Sequence, residues 1–320
     1  MKFLSHSKSV PRLSQVTQEQ LDDLLTQGRG NCGTPFLVED ATKDWPCMEK
    51  WSFDWLKEVY GDIEVRTCDC LAGKVFMKGR FGDYIDYILE VKNTNEVPKN
   101  FQYVNPLNHE VIEAPLESPK GPQYLLTWNL ETVYELTQDF HEPYFMKGRS
   151  LLEGRNLVER LKLSVQPNLF NRHNWIFVGP AGSISQMHND HDHVHTYLAQ
   201  VLGKKHYVLF SPSDAALVSE VRPDGIVIPT KSIDPLNPDI EKFPRFYEAE
   251  AYEVTIERGD LLFLPSHWLH FGLGIEPSIT VSKDTVDYIN YDKWFQSVTT
   301  SGAPVLAGAR SGEGNPYLAR

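Results

Sequence analysis

His188-Asn189-Asp190 sets an imidazole and a carboxylate two positions apart. In an extended strand the period of two points both side chains to one face, close enough to share an ion. A third ligand must come from elsewhere. His270 follows the apolar run Leu261-Leu-Phe-Leu264 and the turn Pro265-Ser-His-Trp-Leu269, so a neighbouring strand of a closed barrel would bring it alongside. Two imidazoles and one carboxylate on one face make the facial triad of non-haem iron(II) sites, with positions left open for co-substrate and dioxygen. Taken alone, an HxD triplet in a histidine-rich stretch is more simply a surface or hydrogen-bonded group. The elements around it have to decide.

Those elements begin as helices. Thr17-Gln-Glu-Gln20 has the form of a capping box, Leu21, Leu24 and Leu25 form a stripe behind it, and Gly28 stops the helix. Ser52 caps a second helix over Phe53–Tyr60 that ends at Gly61, and Phe81–Val91 carries apolar residues at helical spacing. Ile63–Thr67 and Lys74–Met77 read as short strands between them, and helical patterns return at Leu130–Phe140 and Leu151–Leu163. Then the grammar changes. Trp175–Val178, Tyr197–Leu202, Lys205–Phe210, Tyr252–Glu257, Leu261–Leu264 and Ser278–Lys283 are short β-rich runs closed by Gly, Pro and Asp, which indicates a barrel or sandwich. Arg258-Gly259-Asp260 reads as a hairpin connection, and the proline-rich stretch Ser213–Ala249 as a long surface excursion that shapes a mouth.

The stretch Gly179–Pro212, GPAGSISQMHNDHDHVHTYLAQVLGKKHYVLFSP, resembles the jumonji-C (JmjC) and cupin-like oxygenases related to the hypoxia-factor asparaginyl hydroxylase. It has their glycine-rich approach, the HxD, the LAQ strand and the Gly-x-Lys turn. Gly259–His270 is similar to the family's strand and distal histidine, Lys43–Gly61 to its amino-terminal helical region, and Gln123–Leu130 more weakly to a further segment. The resemblance implies a mainly β fold with flanking helices, a double-stranded β-helix (jelly-roll) barrel over residues 121–298, packed against an N-terminal helical α+β region at 1–120, with a flexible tail at 299–320. It also implies iron(II) held by His188, Asp190 and His270, with 2-oxoglutarate and dioxygen as co-substrates. Lys205 falls on the family's lysine for the distal carboxylate of 2-oxoglutarate, and Ser185 and Tyr124 fall where hydroxyl donors to the same carboxylate often stand. Side-chain alternation lets only one of Lys204 and Lys205 face inward.

The chain also departs from that pattern. His188 to Gln200 is two residues longer than in the nearest members, so Asp192 competes with Asp190 for the carboxylate role if the extra residues bulge before it; Asp190 alone completes HxD. His191, His193 and His195 are either a second metal site or a polar rim. Thr196 and Ser282 stand where some members carry asparagines near the iron, and Lys283-Asp284 replaces an aromatic pair.

With 31 Lys and Arg against 43 Asp and Glu, the formal charge of −12 opposes the counterion release that drives nucleic-acid binding, so a nucleic acid is not the expected substrate. There is no apolar leader and no run of about 18 apolar residues, which points to a cytoplasmic protein without a membrane partner. Four cysteines lack zinc-site spacing; Cys68-Asp-Cys70 reads as buried thiols in a strand, with soft-metal chelation as the alternative. The expected reaction is hydroxylation of a C–H bond in a protein or peptide side chain. A small metabolite or natural-product intermediate is the alternative, with N-methyl demethylation and a non-catalytic cupin behind it. A homodimer stays open.

Overall fold

In the strands His195–Leu202, Lys205–Phe210 and Leu261–Leu264, alternate side chains enter different apolar cores, and this alternation assembles the molecule. The computed structural model describes residues 4–71, 75–93, 95–126, 128, 133–150 and 174–300. One five-stranded sheet runs in space as β1 (Lys8–Ser9), β14 (Ala251–Ile256), β11 (Lys205–Phe210), β16 (Leu269–Gly274) and β9 (Ile184–His188). A six-stranded sheet runs as β2 (Arg12–Leu13), β3 (Phe36–Val38), β15 (Leu261–Leu264), β10 (His195–Leu202), β17 (Ser278–Thr285) and β8 (Asn174–Gly179). Leu198, Leu262 and Leu264 of the second sheet meet Tyr207, Leu209, Val254 and Ile256 of the first in one core. That core is the interior of the jelly roll.

The outer faces are covered as well. Tyr197, Ala199, Leu261, Phe263 and Val281 point the other way, into a second core shared with the helices Gln18–Thr26, Phe53–Tyr60 and Phe81–Glu90. Thr17 and Gln20 form the capping box, and Ser52 accepts from the Trp55 amide, so these two helices start where their cap residues set them. A four-stranded sheet, β6 (Gln102–Val104), β5 (Phe76–Arg80), β4 (Glu64–Asp69) and β7 (Gln123–Tyr124), lies alongside.

Two readings need correction. Ser213–Ala249 is not merely a surface excursion: it holds the paired strands β12 (Ser219–Val221) and β13 (Val227–Ser232) and buries Val218, Ile233, Phe243 and Phe246 against Val208, Phe210 and Phe271. Arg258-Gly259-Asp260 joins β14 and β15, which lie in different sheets, so it is a corner and not a hairpin; Gly259 still supplies φ +94°. The strands expected around His188 and His270 are β9 and β16, but neither stands out among the β-rich runs, because Ser185, Gln186, His188, His270 and the glycines of Leu269–Gly274 dilute the β signal. Leu130–Phe140 ends in a 3₁₀ turn over Tyr134–Asp139, while Leu151–Leu163 and the tail from 301 lie outside the described residues. Among the described residues no helix is long and apolar enough to cross a membrane.

Candidate metal centre

His188 closes β9, and its direct cross-strand partner is His270 on β16, with ring centroids 4.2 Å apart. Asp190 lies beyond the end of β9, so it arrives through the following loop and not through strand alternation. Its Oδ1 is 3.9 Å from His270 Nε2, and the candidate ligand atoms of His188, Asp190 and His270 all lie within 4.8 Å of one another. No other His, Cys, Asp or Glu group among the described residues has this spacing.

Each imidazole is aimed by its own backbone. His188 Nδ1 lies 2.6 Å from the Gln186 carbonyl, and His270 Nδ1 lies 3.1 Å from the Trp268 carbonyl. A proton on Nδ1 donating there leaves the Nε2 lone pair of both rings for a cation. Burial, followed by the neighbouring His270, holds His188 down to about 4. Burial would raise Asp190, but His270, His188 and the Thr196 hydroxyl outweigh it and keep the carboxyl below its ordinary range. His188 and Asp190 are thus in the deprotonated forms that a metal ion requires.

The lengthened segment after Asp190 scatters its side chains. Asp192 (φ +58°) accepts from the Ser297 hydroxyl at 2.9 Å and stands apart from the donor group. His191 is exposed at the rim. His193 (φ +56°) meets His267 (φ +65°) through Nδ1 and Nε2, and His267 Nδ1 takes a hydrogen bond from the Asn189 amide at 3.1 Å. His195, 2% exposed, accepts the Ser266 amide at 3.0 Å behind β10. These three histidines do not converge on one point.

Further along the interior lies the second constellation. Lys205 is buried, and its Nζ donates to Tyr124 Oη at 2.7 Å and lies 5.5 Å from the centre of the Phe177 ring. Tyr124 is also hydrogen-bonded to Ser185. With no carboxylate among the described residues compensating it, burial holds the Lys205 ammonium down to about 7. Lys204 points outward to Glu257 at 3.2 Å. In the pairing of β11 with β16, Lys205 stands opposite Gly274 and Leu209 opposite His270. Four residues of strand, about 13 Å, thus separate the lysine from the histidine level.

Sequence reasoning set Thr196 near the iron without giving it a role, and it overlooked His267. Thr196, the first inward residue of β10, donates to Asp190 Oδ2 at 2.6 Å, and His267 ties the turn before His270 to the segment after Asp190. The threonine was recognisable only as a substitution within a pattern; His267 carried no signal. Cys68 donates weakly to the Tyr124 carbonyl at 3.7 Å, and burial pushes both Cys68 and Cys70 up to about 12, so neither offers a thiolate.

Among known proteins, the chain is 28% identical over 284 residues to the human tRNA wybutosine-synthesizing protein 5, covering 83% of this chain and 76% of that one. It is 25% identical over 282 residues to lysine-specific demethylase 8 of Xenopus tropicalis, covering 87% of this chain and 53% of the relative. An arginine-specific demethylase of Arabidopsis thaliana is 27% identical over 280 residues, covering 85% of this chain and 45% of its own length. This chain therefore spans about half of each demethylase. The model of the cupin-like domain family matches residues 31–282, which contain both sheets' central strands and every residue of the two constellations, and by that match the chain belongs to the cupin-like, JmjC-type family.

Proposed function

We propose that this protein is an iron(II)- and 2-oxoglutarate-dependent oxygenase that hydroxylates a C–H bond, with a protein or peptide side chain as substrate. The observation that carries the reading is the pairing of a two-imidazole, one-carboxylate donor group with a buried ammonium at the far end of the same interior. His188, Asp190 and His270 would hold the iron. Bound there, iron(II) supplies, together with 2-oxoglutarate and dioxygen, the oxidant that places oxygen on carbon.

The chain's own residues do the rest. The Gln186 and Trp268 carbonyls keep the Nδ1 protons, so both Nε2 atoms stay turned inward. Lys205, with Tyr124 and Ser185, is placed to receive the distal carboxylate of 2-oxoglutarate, because a dianion in an apolar barrel needs a compensating charge. Leu198, Leu262 and Trp268 exclude water from that interior. Asp284, opposite Thr196 on β17, adds a carboxylate to the wall beside Asp190.

Two relatives are demethylases by name and one acts in tRNA wybutosine synthesis by name, so N-methylated peptides and a modified tRNA belong beside unmodified peptides in the substrate panel. The acidic charge of −12 weighs against the tRNA. Mass spectrometry of the panel after incubation with iron(II) and 2-oxoglutarate separates the outcomes. A gain of one oxygen marks hydroxylation and loss of a methylene marks demethylation; a protein that binds iron but forms no succinate with any substrate would refute the oxygenase reading.

A further inference from the structure

Of the three candidate ligands, two sit on hydrogen-bonded strands and are fixed by the β9–β16 pairing, whereas Asp190 sits on a loop beyond β9. Something other than the sheet must orient its carboxylate. The Thr196 hydroxyl, on a residue 3% exposed, donates to Asp190 Oδ2 at 2.6 Å, the length of a charge-assisted O–H···O⁻ bond. The other carboxylate oxygen, Oδ1, is the one 3.9 Å from His270 Nε2. The two oxygens are therefore divided, one toward the hydroxyl and one toward the His270 imidazole.

Thr196 itself stands on firm ground. It lies in β10, paired with Leu264 of β15 on one side and Asp284 of β17 on the other. Its hydroxyl carries a single hydrogen, and Asp284 Oδ1 lies 3.1 Å away, farther than Asp190 Oδ2. The shorter contact takes the hydrogen. A threonine suits this task because branching at Cβ stiffens χ1 and leaves the hydroxyl few directions.

Resting on the triad reading above, we infer that Thr196 is a positioning residue that holds Asp190 as a one-oxygen ligand by occupying its Oδ2. It acts through Asp190, whose Oδ2 it contacts. Lost partners of metal-ligating side chains typically weaken metal affinity by about 10–100-fold.

The test is anaerobic iron(II) binding to the full chain, measured by competition with a chromophoric chelator and without turnover, beside far-ultraviolet circular dichroism. Thr196→Val removes the hydroxyl at nearly constant shape and is expected to weaken iron binding by about tenfold or more. Thr196→Ala makes the same deletion without setting a branched apolar group between two carboxylates, which covers the case in which the valine variant fails to fold. Thr196→Ser keeps the hydroxyl and should bind iron within about threefold of wild type. Wild-type affinity in the valine or alanine variant, or an equal loss in the serine variant, would overturn the assignment. His188→Ala separates the two levels: if it binds iron normally the triad reading is wrong, whereas normal binding in Thr196→Val together with lost binding in His188→Ala removes only the role of Thr196.

Discussion

The two ends of the jelly-roll interior are built by different rules. At the lysine end, Lys205 lies in an unbroken strand paired on both sides, with β14 and with β16. Its inward direction follows from alternation with Tyr207 and Leu209, so a slip of one residue would expel it and bring Lys204 or His206 inside. At the metal end, His188 is the last residue of its strand, Asp190 is in a loop, and three residues nearby, Asp192, His193 and His267, have φ between 56° and 65°. The second end tolerates a longer segment because the extra backbone turns through left-handed conformations and is retied by Ser297, Asn290 and His267. A regular ladder fixes direction cheaply but admits no change of length; a loop accepts length but needs side-chain bonds to aim what it carries.

The largest effect expected from breaking this comparison is at the metal end. His188→Ala, Asp190→Ala and His270→Ala should each reduce iron-dependent succinate formation to background with the circular dichroism spectrum retained, while Asp192→Ala keeps it. Loss with Asp192→Ala and not with Asp190→Ala would show that the lengthened segment supplies a different ligand.

Next comes the lysine end. Removing one partner of a buried charge pair costs about 3–5 kcal/mol, so Lys205→Ala should raise the 2-oxoglutarate requirement by about a hundredfold or more while leaving iron affinity unchanged. Lys204→Ala serves as the control, since Lys204 is outward and paired with Glu257. An unchanged requirement in the first with a large rise in the second would transfer the role to the neighbour.

The same lysine gives a pH signature. Its ammonium is held down to about 7 by burial, so below that pH it is charged and ready for a dianion, and above it binding must first take up a proton. Apparent 2-oxoglutarate affinity measured by equilibrium titration should therefore weaken by up to about tenfold per pH unit above 7. Lys205→Arg, which stays protonated, should flatten that slope even where its absolute affinity is lower. A wild-type slope as flat as the arginine variant's would mean that the lysine is not the anchor.

The smallest effects compare the turns at the two ends. Gly203, in the corner before Lys205, has φ +67°, and a Cβ there would come within 2.1 Å of the Pro277 carbonyl oxygen. Thermal or urea unfolding of Gly203→Ala should show a loss of about 2–4 kcal/mol. For Asp192→Gly at the metal end, relief of the left-handed backbone, about 1 kcal/mol, and loss of the Ser297 bond, about as much, should nearly cancel. Equal losses at both positions would erase the contrast between a rigid corner and an adaptable loop.

The sequence by itself determined what short-range chemistry controls. Thr17 with Gln20 and Ser52 before Phe53 started their helices because a cap satisfies amides only a few residues away. Alternation in Lys205–Phe210 set which side of β11 faces the interior, and the spacing of His188 and Asp190 with a distant His270 named the three side chains that the fold gathers. Tertiary structure decided the rest. β9 and β16 are strands because their neighbours supply the ladder, despite polar and glycine-rich sequences of weak β preference. Which sheet each corner joins, how Thr196 reaches Asp190, and why His193 meets His267 all depend on pairings between residues far apart in the chain. No local pattern encodes such pairings, because the free energy that selects them comes from burying three cores at once.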